Sequence, residues 1–108
     1  MKYNTLQDYR DSLLASGLSP ATASTYYKAM ALLIADQHIL DCQNIEVSKV
    51  LEKLRAIEHK ADYSKYKNAF LKFADFIGIE VNQAMRSELD TMRAQKKNKY
   101  RDLQPVSL

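Results

Sequence analysis

Turn-forming residues are scarce in this sequence, with two glycines and two prolines in 108 residues, and tryptophan is absent. Such scarcity excludes an all-β fold with many tight turns, a collagen-like chain and a low-complexity disordered one. Cys42 is the only cysteine, so neither an internal disulfide nor a cysteine-rich zinc site is available. With Gly17 and Gly78 far apart, a glycine-rich phosphate loop is also excluded. The longest apolar run, Ala29 to Ala35, is far short of the roughly 18 residues of a membrane span. Met1-Lys2-Tyr3-Asn4 has no apolar stretch of the kind that opens a secretory signal, so a cytoplasmic protein without membrane contact is expected. At 46% hydrophobic and 27% charged residues, the chain has the composition and length of one domain.

Charge is distributed unevenly. Residues 1–58 carry six Lys/Arg and seven Asp/Glu, whereas residues 59–108 carry ten and six. From Arg93 to Arg101 there are five basic residues and no acid. A basic half of this kind suits a polyanion such as nucleic acid, although a solvated helix end would look similar.

Apolar residues recur at helical spacing throughout. Leu6, Tyr9, Leu13 and Leu14 form a first stripe that Gly17 terminates. Ser19 then reads as an N-cap with Pro20 in the first helical position. The second helix carries Ala23, Tyr26, Met30, Leu33, Ile34 and Gln37 on one side, and is expected to end near His38. A third, short helix is marked by Val47, Val50, Leu51, Leu54 and Ile57. The fourth has Tyr63, Tyr66, Phe70, Phe73 and Ile77, with Asp62 as its expected N-cap and Gly78 as its stop. A weaker fifth stripe, Val81 to about Gln95, contains Met85, Leu89 and Met92. Neither a strand nor an internal repeat is discernible. The expected fold is all-α, a four-helix bundle over residues 1–80 followed by a C-terminal helix and basic linker over 81–108.

Catalytic chemistry is poorly supplied. His38 and His59 lie in no metal-ligand spacing, and surface or cap roles suit them; Cys42 falls in a polar loop near His38 without a third partner. Tyr9, Tyr26, Tyr63 and Tyr66 sit on apolar stripes and are expected to pack with peripheral hydroxyls rather than act as nucleophiles. No catalytic residue, cofactor, metal or small-molecule substrate is therefore expected.

Binding chemistry is better represented. The face of the second helix opposite its apolar stripe carries Ala21, Ser24, Thr25 and Lys28, small and polar apart from one cation. Ser19, Thr22 and Thr25 would offer hydroxyl donors there, beside the positive end of the helix dipole. On the fourth helix Lys65, Asn68 and Lys72 share an exposed flank, with Ser64 nearby, and an asparagine can meet adenine with two hydrogen bonds. Lys96, Lys97, Lys99 and Arg101 lie beyond the last residue of the apolar stripe and read as a mobile cationic tail. Any solvated helix would show some of these residues. Two such faces in one basic domain favour double-stranded DNA as the partner.

The stretch LQDYRDSLLASGLSPATASTYYKAM resembles the start of the core-binding, SAM-like domain of tyrosine recombinases, the phage-integrase family. Gly17, Leu18, Ser19, Thr22 and Tyr26 match that domain's G-L-S-x-x-T-x-x-x-Y pattern, and ADYSKYKNAFLKFADFIGI resembles its fourth helix. The likeness covers residues 4–80, and KKNKYRDLQPVSL looks like the linker to a catalytic domain. It implies a four-helix SAM-like bundle that clamps DNA through helices two and four during site-specific recombination and integration. Carried over by position, the DNA contacts would be Ser19, Thr22, Thr25, Lys28, Ser64, Lys65, Asn68 and Lys72, with other recombinase protomers as further partners. The family's catalytic set of two arginines, a lysine, an HxxR motif and a tyrosine belongs to a second domain. Neither His38 nor His59 is followed by arginine at that spacing, so this chain is not expected to cut DNA. A rival reading is a stand-alone interaction module that binds a protein through Met85, Leu89 and Met92 of its C-terminal helix.

Overall fold

The computed structural model describes residues 4–97. Among them are five α-helices: α1 (Leu6–Ala15), α2 (Pro20–Leu33), α3 (Val47–Ala56), α4 (Lys60–Ile77) and α5 (Gln83–Ala94). Single 3₁₀ turns at Ala35–Gln37 and Cys42–Asn44 lie between α2 and α3. The described residues contain no strand, and the all-α expectation holds.

Local chemistry explains most boundaries. Thr5 and Asp8 form a reciprocal capping box at the start of α1. Ser19 accepts from the Thr22 amide at 3.2 Å with Pro20 next in line, as expected for α2. Gly17 and Gly78 both take positive φ, 101° and 79°. There the Leu18 amide reaches back to the Leu13 carbonyl and the Ile79 amide to that of Ala74, closing α1 and α4 in Schellman turns.

Two boundaries differ from expectation. α2 stops at Leu33, and His38, at φ 51°, leaves the following 3₁₀ turn in the left-handed region. Gln37 fixes that exit by a reciprocal pair with Glu46, its Nε2 donating to the carbonyl at 3.2 Å and its Oε1 accepting from the amide at 2.7 Å. α4 begins at Lys60, so Asp62 lies in its first turn and His59 occupies the cap position without a side-chain bond. The reason is a remote partner. The Lys97 carbonyl accepts from the Lys60 amide at 2.8 Å, while the Lys97 amide donates to the Glu58 carbonyl at 2.8 Å. This short parallel pairing with Lys97 satisfies the first orphan amide of α4.

One core runs through all five helices, with Tyr9, Met30, Val50, Leu54, Tyr63, Phe70 and Phe73 fully buried. The Tyr9 and Phe73 rings meet edge to face at 5.2 Å. The Tyr9 and Tyr63 hydroxyls are internal rather than peripheral, donating to the carbonyls of Ala69 at 2.8 Å and Leu89 at 2.7 Å. Both are apolar residues that need a partner for one polar atom, and a helix carbonyl supplies it. Tyr26 and Tyr66 are half-buried, whereas Leu14 is exposed. Cys42 is also buried, not part of a polar surface loop: its amide donates to the Asn4 carbonyl at 2.7 Å and its thiol joins the core. Burial, reinforced by the carboxylates of Asp41 and Asp8, pushes that thiol up to about 11.

An internal correspondence emerges that residue identity conceals. Residues 21–35 and 61–75 have the same burial class at every position, forty residues apart. Only Ala21/Ala61, Ser24/Ser64, Tyr26/Tyr66 and Ala29/Ala69 are identical. The helix before each also buries an i, i+4 pair, Tyr9 and Leu13 in α1 and Val50 and Leu54 in α3. α2 packs most extensively on α1 and α4, whereas α3 lies far less extensively against α2 and α4, so α2 and α4 match in burial but their preceding helices do not match in packing.

Phe70→Ala should cost about 3–5 kcal/mol and Ser19→Ala about 1 kcal/mol, both read from thermal or urea melts. A Phe70→Ala protein as stable as the parent would contradict this packing. Burial first, then the nearby Asp90 and Glu88 carboxylates, pushes Tyr63 up to about 12. The native state thus holds the phenol proton more tightly than the unfolded chain, whose tyrosines titrate near pH 10. The resulting stability is complete below about pH 10 and lost as pH rises toward 12. Tyr63→Phe should make alkaline unfolding less steep while costing about 1 kcal/mol at neutral pH.

Candidate nucleic-acid interface

The packing of α2 on α4 opens two depressions. The smaller, about 250 Å³, is lined by Thr25, Lys28, Ala29 and Leu32 of α2 with Lys65 and Tyr66 of α4. The larger, about 560 Å³, takes Asn68, Leu71, Lys72 and Asp75 from α4, Tyr26 from α2, and Ile79, Glu80, Val81 and Arg86 from beyond. The expected residues of the two helices therefore divide. Thr25, Lys28 and Lys65 converge in one groove, while Asn68 and Lys72 face the other.

Their electrostatics differ. No carboxylate lines the smaller groove, whereas Asp75 and Glu80 balance Lys72 and Arg86 in the larger. Ion pairs among the described residues join Lys49 to Glu46, Lys53 to Asp36 and Arg55 to Glu88. None engages Lys28, Lys65 or Lys72, each of which is exposed. Lys65 holds its ammonium 5.2 Å from the centre of the Tyr66 ring, which steadies the cation without neutralising it. The Lys53 bond lowers the Asp36 carboxyl below its ordinary range, away from both grooves.

The hydroxyls are less free than their positions on the sequence imply. Ser19 spends its proton on the Thr22 hydroxyl at 3.0 Å, and Thr25 donates to the Ala21 carbonyl at 3.0 Å. A phosphate accepts but does not donate, so either group must rotate before it can contribute. Ser64 is half-buried, and Asn68 is exposed.

The cationic tail is corrected in its first half. The Lys96 ammonium donates to the carbonyls of Leu54 at 2.9 Å and Arg55 at 2.6 Å, and lies 5.1 Å from the Tyr63 ring centre. It caps the negative end of α3, and burial together with Arg55 lowers its pKa. Lys97 is held through its backbone beside the start of α4. These two residues are fixed, not mobile, and Lys96 has already committed its charge. Lys99 and Arg101 lie outside the described residues.

The C-terminal helix does not offer the apolar seam that the interaction-module reading requires. Leu89 and Met92 are 2% and 3% exposed and Met85 packs against the same core, because α5 folds its stripe onto its own bundle. Arg86 and Tyr26 were missed as candidates in the larger depression. Their spacing marks them only as helix-flank and stripe residues, and their meeting depends on tertiary packing. No described helix is long and apolar enough to cross a membrane, and no described cluster of His, Cys, Asp and Glu has metal-binding geometry.

The chain matches no protein-family model, no curated protein and no solved structure.

Lys96→Met, which keeps the aliphatic stem, should cost about 1 kcal/mol by leaving the Leu54 and Arg55 carbonyls without their cation. Equal melts for parent and variant would mean that the contact is not formed in solution.

Proposed function

We propose that this chain binds duplex DNA as the helical, SAM-like arm of a tyrosine-type site-specific recombinase, in a cytoplasmic setting and without catalysing strand cleavage itself. The observation that carries the reading is the smaller α2–α4 groove. Lys28 and Lys65 reach it from different helices, and among the described residues neither is ion-paired and no carboxylate lines it. Two unneutralised ammonium groups fixed on packed helices suit a phosphodiester backbone. Asn68 lies one turn along α4 from Lys65; in this reading it meets a base edge while Lys65 and Lys72 hold phosphates. The match of Gly17, Leu18, Ser19, Thr22 and Tyr26 to the recombinase pattern adds the biological setting, and other protomers of that machinery are the proposed protein partners.

The test is binding to duplex DNA across a salt series. Contacts to roughly four to six phosphates give a log–log slope near −4 to −5, and a flat response or no binding at low salt would remove the reading. On a recombination half-site, Asn68→Ala should lose about 1–3 kcal/mol and far less on random duplex. Equal loss on both would deny Asn68 a role in reading bases.

A further inference from the structure

Resting on the DNA reading above, we propose that Leu32 recognises the 5-methyl group of a pyrimidine, thymine or 5-methylcytosine, in the major groove beside the phosphates held by Lys28 and Lys65. Three large apolar side chains are exposed among the described residues, Leu14, Leu32 and Leu40. Of these, Leu32 alone lines the smaller α2–α4 groove, and it is 59% exposed. The core does not require it, because Met30, Leu33 and Ile34 supply the buried side at this end of α2. Nor does the helix, since lysine favours a helix about as well as leucine does. A groove that served phosphates alone would gain from a third cation at this position. Leucine instead adds to an apolar lining that Ala29 and the Tyr66 ring also supply.

Placement on the helix suits the role. Thr25, Lys28 and Leu32 follow one another at helical spacing, so a hydroxyl, a cation and a pair of methyls share one face of α2. Side chains four apart on a helix stand about 5–6 Å from one another at Cβ, so a phosphate held by Lys28 leaves Leu32 within reach of a neighbouring base edge. The end of α2 is also held firmly. The Lys53 ammonium donates to the Leu32 carbonyl at 3.1 Å and pairs with Asp36 at 3.0 Å, which ties this turn to α3. An apolar side chain fixed in this way can reward one base over another, as a mobile one cannot. The pyrimidine 5-methyl is the apolar group that a duplex displays in its major groove, and the minor groove has no counterpart. A leucine set among phosphate-binding lysines finds its chemical match in that methyl.

The experiment compares affinities for two pairs of duplexes by fluorescence anisotropy at one low salt concentration. One pair consists of alternating A·T repeats made with thymine or with uracil. The other consists of alternating G·C repeats made with 5-methylcytosine or with cytosine. Within each pair the members differ only in the 5-methyl group, which is present in every binding register. Burying a methyl is worth about fourfold in affinity, so the parent should favour the methylated member of at least one pair by roughly that factor. Whichever pair responds identifies the base that carries the methyl. Leu32→Ala should bind both members of that pair equally, whereas Lys65→Ala should weaken both alike and preserve their ratio. A merely structural role for Leu32 would lower every affinity together and leave the ratio intact. Equal affinities within both pairs for the parent, or an undiminished preference in Leu32→Ala, would overturn the assignment while leaving DNA binding intact. A parent protein that binds none of these duplexes would instead remove the reading on which it rests.

Discussion

Close packing of α2 on α4 is the constraint on which the rest of the structure depends. Ala23 and Ala29 on α2 and Ala69 and Ala74 on α4 are buried, and with so little side chain to accommodate, the two helices can lie near one another. That proximity lets Tyr9 of α1 pass its hydroxyl to the Ala69 carbonyl and bring its ring against Phe73. It also determines which exposed residues become neighbours. Lys28 and Lys65 share a groove only because the backbones carrying them approach closely. A larger residue at Ala29 or Ala69 would strain the core and separate the two cations in the same movement.

Much of the fold was legible in the sequence because its signals are local. The stripes of Tyr9 and Leu13, of Val50 and Leu54, and of Tyr63, Phe70, Phe73 and Ile77 repeat at three and four residues, and they are what the core buries. Ser19-Pro20, Gly17 and Gly78 announce helix ends through side-chain and backbone chemistry that needs no distant partner. The misread features all depend on remote contacts. α4 starts at Lys60 because Lys97 supplies a carbonyl, Cys42 turns inward because Asn4 holds its amide, and Lys96 loses its freedom to the end of α3. Periodicity carries no information about any of these.

The candidate site divides along the same line. Lys28, Lys65, Asn68 and Lys72 could be placed on exposed helix flanks from spacing alone. Their separation into an unbalanced groove and a charge-balanced one could not, since Glu80 and Arg86 reach the larger groove only through the turn that follows α4 and the helix beyond it. The correspondence between residues 21–35 and 61–75 was equally hidden. Equivalent positions are held by different side chains, Thr25 with Lys65 and Leu32 with Lys72, and what is common to them is exposure rather than identity.

The clasp at Lys96 and Lys97 has a mechanical meaning. Tension applied to the chain beyond Lys97 would not peel α5 away turn by turn. It would first load the backbone pairing with Glu58 and Lys60 and the ammonium seated on Leu54 and Arg55, all at the junction between α3 and α4. A pull beyond Lys97 is thereby delivered to the start of α4, the helix that carries Lys65, Asn68 and Lys72.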